Sequence, residues 1–309
     1  MTKFVRKTVI LSKIETTYGT DSEPVAANAV KASNIDIRPL EGNEESRDFQ
    51  TAALGAQPTI PVGVYQMVSF DVELGGGGAA GTAPGYGPLL RACGMAETIT
   101  EDTSAVYEPV SDTGDSATLY INLDGNLHVL TGARGTFDLR LNASGLPKLS
   151  FSFTGLFVAP SAVALPTPDF SAWQDAIPIS KTNTPTFSLH GYSGISGELQ
   201  FSFGNQIVHE DLINAERVDR TDRAVTGRAV LDTPSVGDFD FVTKARNATL
   251  AALQLIHGTT AGHIIQIDAP KVQLSKPTYG NRNSKSTVSL DLRCTPTDAG
   301  DDEFKLTVK

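Results

Sequence analysis

Residues Leu119 to Phe157 read LYINLDGNLHVLTGARGTFDLRLNASGLPKLSFSFTGLF. Leu119, Ile121 and Leu123 alternate with polar neighbours, Phe137, Leu139 and Leu141 do so against Asp138 and Arg140, and Leu149, Phe151 and Phe153 against Ser150, Ser152 and Thr154. Successive strand side chains point to opposite faces, so each segment offers one apolar face to a core and one polar face to water or a partner. Asp124-Gly125 and the Asn142-to-Gly145 cluster supply the reversals, because Asn, Asp and Gly accept the backbone conformations a turn requires. The stretch predicts an antiparallel meander, with Phe137, Leu139, Leu149, Phe151 and Phe153 in the core.

The rest of the chain limits what this meander belongs to. At 309 residues and 40% hydrophobic it can bury a sizeable core, and its length points to two domains, one large β domain being the alternative. A formal net charge of −10 disfavours binding to phosphate backbones by counterion release. MTKFVRKTVILSKIE has a charge every few residues and no apolar core of a signal peptide, and no apolar run is long enough for a membrane span. Cys93 and Cys294 stand far apart and read as two reduced, buried thiols.

Upstream, Lys7 to Glu15 is a mixed segment followed by turn formers, which reads as an extended arm. Ile35 and Ile37 mark a short strand that Pro39 stops, and Met67 to Leu74 returns to alternation. Between them Glu41 to Val64 is a long connection, uncommon in a compact domain unless it has a task or pairs with itself. The glycine-rich Gly75 to Gly87 lacks the Lys-Ser or Lys-Thr of a phosphate cradle and reads as a loop before a short helix from Pro88 to Gly94. Downstream, the prolines between Val158 and Lys181 predict a linker pinned by Phe170 and Trp173.

Beyond the linker the element order repeats. Leu199, Phe201 and Phe203 match the first strand, Gly204 to Thr226 the long connection, Gly227 to Leu231 the next strand, Phe239 to Ala248 the helix, and Leu253 to Leu292 the meander. The expected fold is therefore mainly β: two tandem antiparallel β-sandwich or partial-barrel domains, each with one flanking short α-helix. The divisions are an N-terminal arm over 1–30, a first β domain over 31–158, the linker over 159–181 and a second β domain over 182–309.

The residues hold no catalytic constellation, and neither an enzyme nor a cofactor is expected. His128, His190, His209, His257 and His263 fall in or beside strands without a carboxylate or cysteine set for a metal. Gly191-Tyr192-Ser193-Gly194 lacks the glycine spacing of a nucleophile elbow, and Asp298 to Glu303 lacks the ligand spacing of a calcium loop. Arg217, Arg220 and Arg223 lie three apart beside Glu216, Asp219 and Asp222, a mixed run that suits salt-bridged protein contact rather than nucleic acid. A carbohydrate-binding or adhesive β-sandwich is the alternative class. It would need an exposed aromatic cluster or a metal loop, and aromatic residues are only 7%.

Five stretches carry a resemblance: KIETTYGTD at Lys13 to Asp21, GTAPGYGPLLRACGMAE at Gly81 to Glu97, LTGARGTFDLRLNASGLPKLSFSFTGLFVAPS at Leu130 to Ser161, TNTPTFSLHGY at Thr182 to Tyr192, and LQLIHGTTAGHIIQIDAP at Leu253 to Pro270. With them the chain resembles the major tail tube proteins of long, flexible-tailed (siphovirus-type) bacteriophages over most of its length. The resemblance implies β-sandwich domains assembled into rings whose inner strands form a continuous barrel. For a duplicated chain it implies homotrimeric rings with pseudo-sixfold symmetry, stacked around a tape-measure protein that later leaves so that DNA can pass. It further implies tail terminator and tip or baseplate proteins at the tube ends, DNA only as transient cargo, no membrane partner, and a place in the virion tail after assembly in the host cytoplasm.

On that reading the two long connections bridge within or between rings, with Arg47, Asp48, Phe49 and Leu54 in the first and Arg217, Arg220 and Arg223 in the second as contacts. The net charge suggests an acidic lumen that repels DNA. Deleting Arg47 to Pro58 is expected to leave a soluble, folded chain that no longer polymerises, and tubes of normal length by negative-stain microscopy would refute the assignment.

Overall fold

The computed structural model describes residues 2–112 and 114–309. Its first half carries β1 (Thr8–Ile14), β2 (Ala29–Val30), β3 (Ala32–Ser46), β4 (Thr59–Glu73), α1 (Gly87–Ala92), β5 (Met95–Thr100), β6 (Ser104–Pro109), β7 (Ala117–Leu123), β8 (Asn126–Asn142), β9 (Lys148–Phe157) and β10 (Ser161–Ala162). The second half carries β11 (Thr186–Leu189), β12 (Ser196–Ser202), β13 (Asn205–Leu212), β14 (Ala215–Arg223), β15 (Thr226–Asp232), α2 (Phe241–Arg246), β16 (Leu250–His257), β17 (Ile265–Arg282), β18 (Lys285–Thr295) and β19 (Lys305–Val308).

The meander is β7, β8 and β9, joined antiparallel in that order. Asp124 (φ 46°) and Gly125 (φ 96°) make its first reversal, the two left-handed residues that a tight hairpin turn matched to strand twist requires. Phe137, Leu139, Leu149, Phe151 and Phe153 are all buried. Phe70, Phe151 and Phe153 pack with ring centroids 5.8–6.0 Å apart, and Phe137 lies 5.8 Å from Phe151.

Both β8 and β17 are long because each serves two layers. The start of β8 pairs with β7 and the rest with β9, with a register shift between Thr131 and Arg134. Likewise β17 pairs with β16 and then β18, shifting between Ser275 and Thr278. Extra residues in a strand bend and twist it, which lets one strand turn the corner between sheets. Pairing in the first half runs β3–β4–β9–β8–β7–β1, and in the second β12–β15–β18–β17–β16–β11. Each half places its helix in chain order between the second and the fifth of these partners.

The two halves are joined rather than merely tethered. Asp138 to Asn142 of β8 pair antiparallel with Ser202 to Glu198 of β12. Eight strands thereby form one run, β3–β4–β9–β8–β12–β15–β18–β17. Beneath the joint Phe137 stacks on Phe203 at 4.7 Å and 17°, and Phe304 packs edge-on against Phe201 at 5.4 Å, so one buried cluster spans both halves.

Three segments differ from expectation. The arm contains β1, which pairs with β7 over its whole length; Ile10, Leu11 and Ser12 are buried in succession, so the strand lacks the alternation that marks a half-buried strand. The long connections are hairpins: β3 and β4 pair out to Ser46 and Thr59, and β13 pairs with β14. Thus only 47–58 remains outside strands in the first. The linker lies along the surface, held by Trp173 Nε1 donating to Ala29 O at 2.7 Å and by Ile177 O at 2.9 Å from His257 Nε2, while Phe170 stays exposed. The glycine-rich loop owes its composition to close backbone approach, since a Cβ on Gly76 would collide with the Gly262 carbonyl.

Phe151→Ala is expected to destabilise the chain by about 3–5 kcal/mol in urea unfolding, through lost burial and the cavity left behind. Ser150→Ala on the opposite face, which removes a 2.6 Å hydrogen bond to the Asp71 carboxylate, is expected to cost less, about 1–2 kcal/mol.

Candidate assembly surfaces

The residues singled out from the sequence fall on two hairpins that behave differently. The β13–β14 hairpin turns back over β4, β8 and β9 of the first half. Asn205 Nδ2 donates to Cys93 O (2.6 Å) and Gly135 O (2.8 Å), and Tyr65 lies 5.0 Å from the His209 ring. Arg134, itself buried, donates to Val218 O at 2.8 Å and Asp219 Oδ1 at 2.9 Å, and its guanidinium sits 4.8 Å over the Tyr18 ring. Tyr18 in turn accepts from Val218 N at 2.6 Å. Burial pushes the Tyr18 phenol pKa up, so it stays protonated in this joint.

The TYG turn that presents Tyr18 is fixed from below by Glu15. This buried carboxylate accepts from Ser116 Oγ (2.6 Å), Thr118 Oγ1 (2.9 Å), Gly132 N (2.7 Å) and Gly19 N (2.8 Å), which replaces the water it loses on burial.

Arg220 and Arg223 are engaged within the chain. Arg220 Nη2 donates to Val110 O (2.7 Å) and Asp112 O (2.6 Å). Arg223 meets Glu303 (2.5 Å), Asp301 (2.9 Å) and Val110 O (2.8 Å), and lies over the Phe203 ring. Burial opposes ionisation of Asp301, yet hydrogen bonds from Ser111 and Arg223 outweigh it and hold the carboxyl below its ordinary range. Arg217 is half exposed and pairs with Glu210 (2.9 Å) and Asp219 (2.7 Å).

By contrast, the tip of the β3–β4 hairpin lies open. Arg47, Asp48, Phe49 and Leu54 are exposed, Phe49 at 66% and Leu54 at 106%. Two strand edges are also open: among the described residues β3 pairs only with β4, and Thr278 to Arg282 of β17 pair only with β18. Tyr279 on that second edge is 64% exposed. Unpaired edges are templates for another strand.

The eight-strand run has one face on the core and the other in solvent. Across the open face, paired positions line up as Asp71, Ser150, Asp138, Ser202 and Thr226, then Glu73, Lys148, Arg140, Gln200 and Arg228. The sequence suggests these alternations but not their joining into one surface; the signal lay only in the matched spacing of the two halves.

No group of three or more His, Cys, Asp or Glu among the described residues could hold a metal ion. His257 is buried, with Nδ1 2.9 Å from Thr184 Oγ1, and burial holds its pKa below the ordinary value. Cys93 and Cys294 are buried and free, and burial pushes the Cys294 thiol up to about 12.

A family model described as phage tail tube protein matches residues 6–294. The chain belongs to the phage tail tube protein family. No protein with a curated description matches it. Membership makes this tail tube protein a structural component of a virion tail, assembling with itself and other tail proteins into a tube. The fold that carries that role is mainly β, and no helix among the described residues is long and apolar enough to cross a membrane.

Arg223→Met is expected to lower stability by about 3–5 kcal/mol, because it leaves Glu303 buried without its cation. Arg217→Met, at an exposed pair, is expected to leave the urea midpoint close to that of the unaltered chain.

Proposed function

We propose that the chain is two copies of one tail-tube unit, and that three chains close head to tail into a ring with pseudo-sixfold symmetry. Rings then stack into the tube that surrounds the tape-measure protein and later conducts the genome. A tail terminator and tip or baseplate proteins finish its ends, and assembly takes place in the host cytoplasm. The single observation that carries this reading is the β8–β12 joint together with the two open edges. Inside the chain the end of β8, the long strand of one half, pairs with β12 of the other. At the chain's outer limits the equivalent partners, the end of β17 and the start of β3, are both unpaired on that side. A rotation that repeats the internal joint between chains pairs them, and a head-to-tail contact that closes removes both edges of the eight-strand run.

The size supports three copies. Three eight-strand runs make a barrel of about 24 strands, which at about 4.8 Å per strand and a tilt near 40° is roughly 45–50 Å across between backbones. Six copies would double that, leaving a channel far wider than a duplex needs. On this reading the open face lines the lumen. Arg47, Asp48, Phe49 and Leu54 sit on the free hairpin as ring-to-ring contacts, whereas Arg217, on the seated hairpin, is the exposed member of its arginine trio.

Register gives the test. In the internal joint Asp138 faces Ser202; the same positions of the repeat are Thr278 and Arg38. Arg38→Cys combined with Thr278→Cys is expected, on mild oxidation of assembled protein, to give a ladder that ends at a covalently closed trimer, with neither single variant cross-linking. A ladder that runs to six, or no cross-link in intact tubes, would contradict the ring.

A further inference from the structure

Three strands of the open face carry the same triplet, Asp36-Ile37-Arg38 on β3, Asp138-Leu139-Arg140 on β8 and Asp291-Leu292-Arg293 on β18. In each the central residue points to the core, Leu139 and Leu292 being buried and Ile37 packed against the core cluster. Strand alternation therefore places one acid and one base side by side on the open face. Asp36 and Arg38 approach to 3.6 Å and Asp138 and Arg140 to 4.0 Å, while Asp291 lies directly across from Arg228 of β15.

Two further acids of the run, Asp71 and Asp232, also meet compensating groups. Burial opposes ionisation of Asp71, yet hydrogen bonds from Ser150 and Asn34 and the charges of Lys148 and Arg140 outweigh it and hold its carboxyl below the ordinary range. Asp232 is paired with Arg282. The side chains of the Asp36–Arg38 and Asp138–Arg140 pairs are about half exposed or more, and ion pairs of that kind contribute little to stability, so stability does not account for a triplet found on three strands. What the pairing does change is the field. Opposite charges one residue pair apart cancel beyond roughly the Debye length, about 8 Å at physiological salt, and the chain's net charge of −10 is not expressed on this face.

We infer that the open face is built to be locally neutral towards duplex DNA, neither repelling it strongly nor holding it, and that the aspartates of the three triplets are what keep the adjacent arginines from binding phosphate. This rests on the lumen assignment proposed above, and it replaces the uniformly acidic lining that net charge alone suggests. A row of arginines without their acids would release counterions from a duplex on contact and grip it.

The test uses the full-length chain before assembly and a fluorescent DNA duplex. The unaltered chain is expected to show no binding at low salt. The variant D36N/D138N/D291N is expected to bind, and to lose affinity roughly 40-fold between about 50 and 200 mM salt if each chain engages three phosphates. R38Q/R140Q/R293Q is expected to stay silent, and D138N alone to give weaker binding than the triple variant. Equal binding by the unaltered chain and the triple Asn variant, or a folded Asn variant that does not bind, would overturn the inference. The lumen assignment is read separately, from Ser150→Cys in intact tubes challenged with a bulky maleimide. Labelling along the tube would overturn that assignment, whereas protection combined with a DNA-silent Asn variant would overturn only the charge cancellation.

Discussion

Five residues of β8 hydrogen-bonded to five of β12 decide the rest of the architecture. That pairing fuses two four-strand sheets into one run, aligns the polar faces of both halves, and seats Phe137 on Phe203 so that a single core passes beneath the seam. It is reinforced by a second pairing between the halves, Leu306 to Val308 of β19 against Tyr107 to Ala105 of β6. With both, the second half is fixed in register, and the outer edges of the run are fixed with it.

The seam also makes the hairpins unequal. In the second half β13 and β14 reach back across the joint and are held by Arg134, Tyr18 and Asn205, with Glu15 fixing the Tyr18 turn beneath them. The tip of the first half's hairpin is not held in this way and stays open, with Phe49 and Leu54 in solvent. On the proposed ring, the surface that this hairpin would lie on belongs to the next chain. Tyr279 is a core-face residue of β17 with a strand, β18, on one side only.

Much of this was legible in the residues. The alternation around Phe137 and Phe151, the Asp124-Gly125 turn, both short helices and the repeated order of elements follow from period and turn chemistry, because those signals are local. The resemblance at Lys13 to Asp21 and Leu130 to Ser161 pointed to the tail tube family before any geometry. What stayed hidden was non-local. Thr8 to Ile14 has too few residues and too mixed a pattern to declare itself a core strand, and only its pairing with β7 makes it one. The charged run at Arg217 to Arg223 reads as an external contact, yet Arg220 and Arg223 find carbonyls and carboxylates over a hundred residues away in one case and near the C-terminus in the other. Net charge gave the sign of the whole surface and not its distribution, because alternation sorts acids and bases face by face.

The central claim is that the internal joint is repeated between chains, and a reconstruction of purified tubes by electron cryomicroscopy tests it most directly. The account expects three chains per ring, a continuous inner barrel, and β3 of one chain hydrogen-bonded to the end of β17 of the next. Six chains per ring, or tubes in which those two edges face solvent, would contradict it.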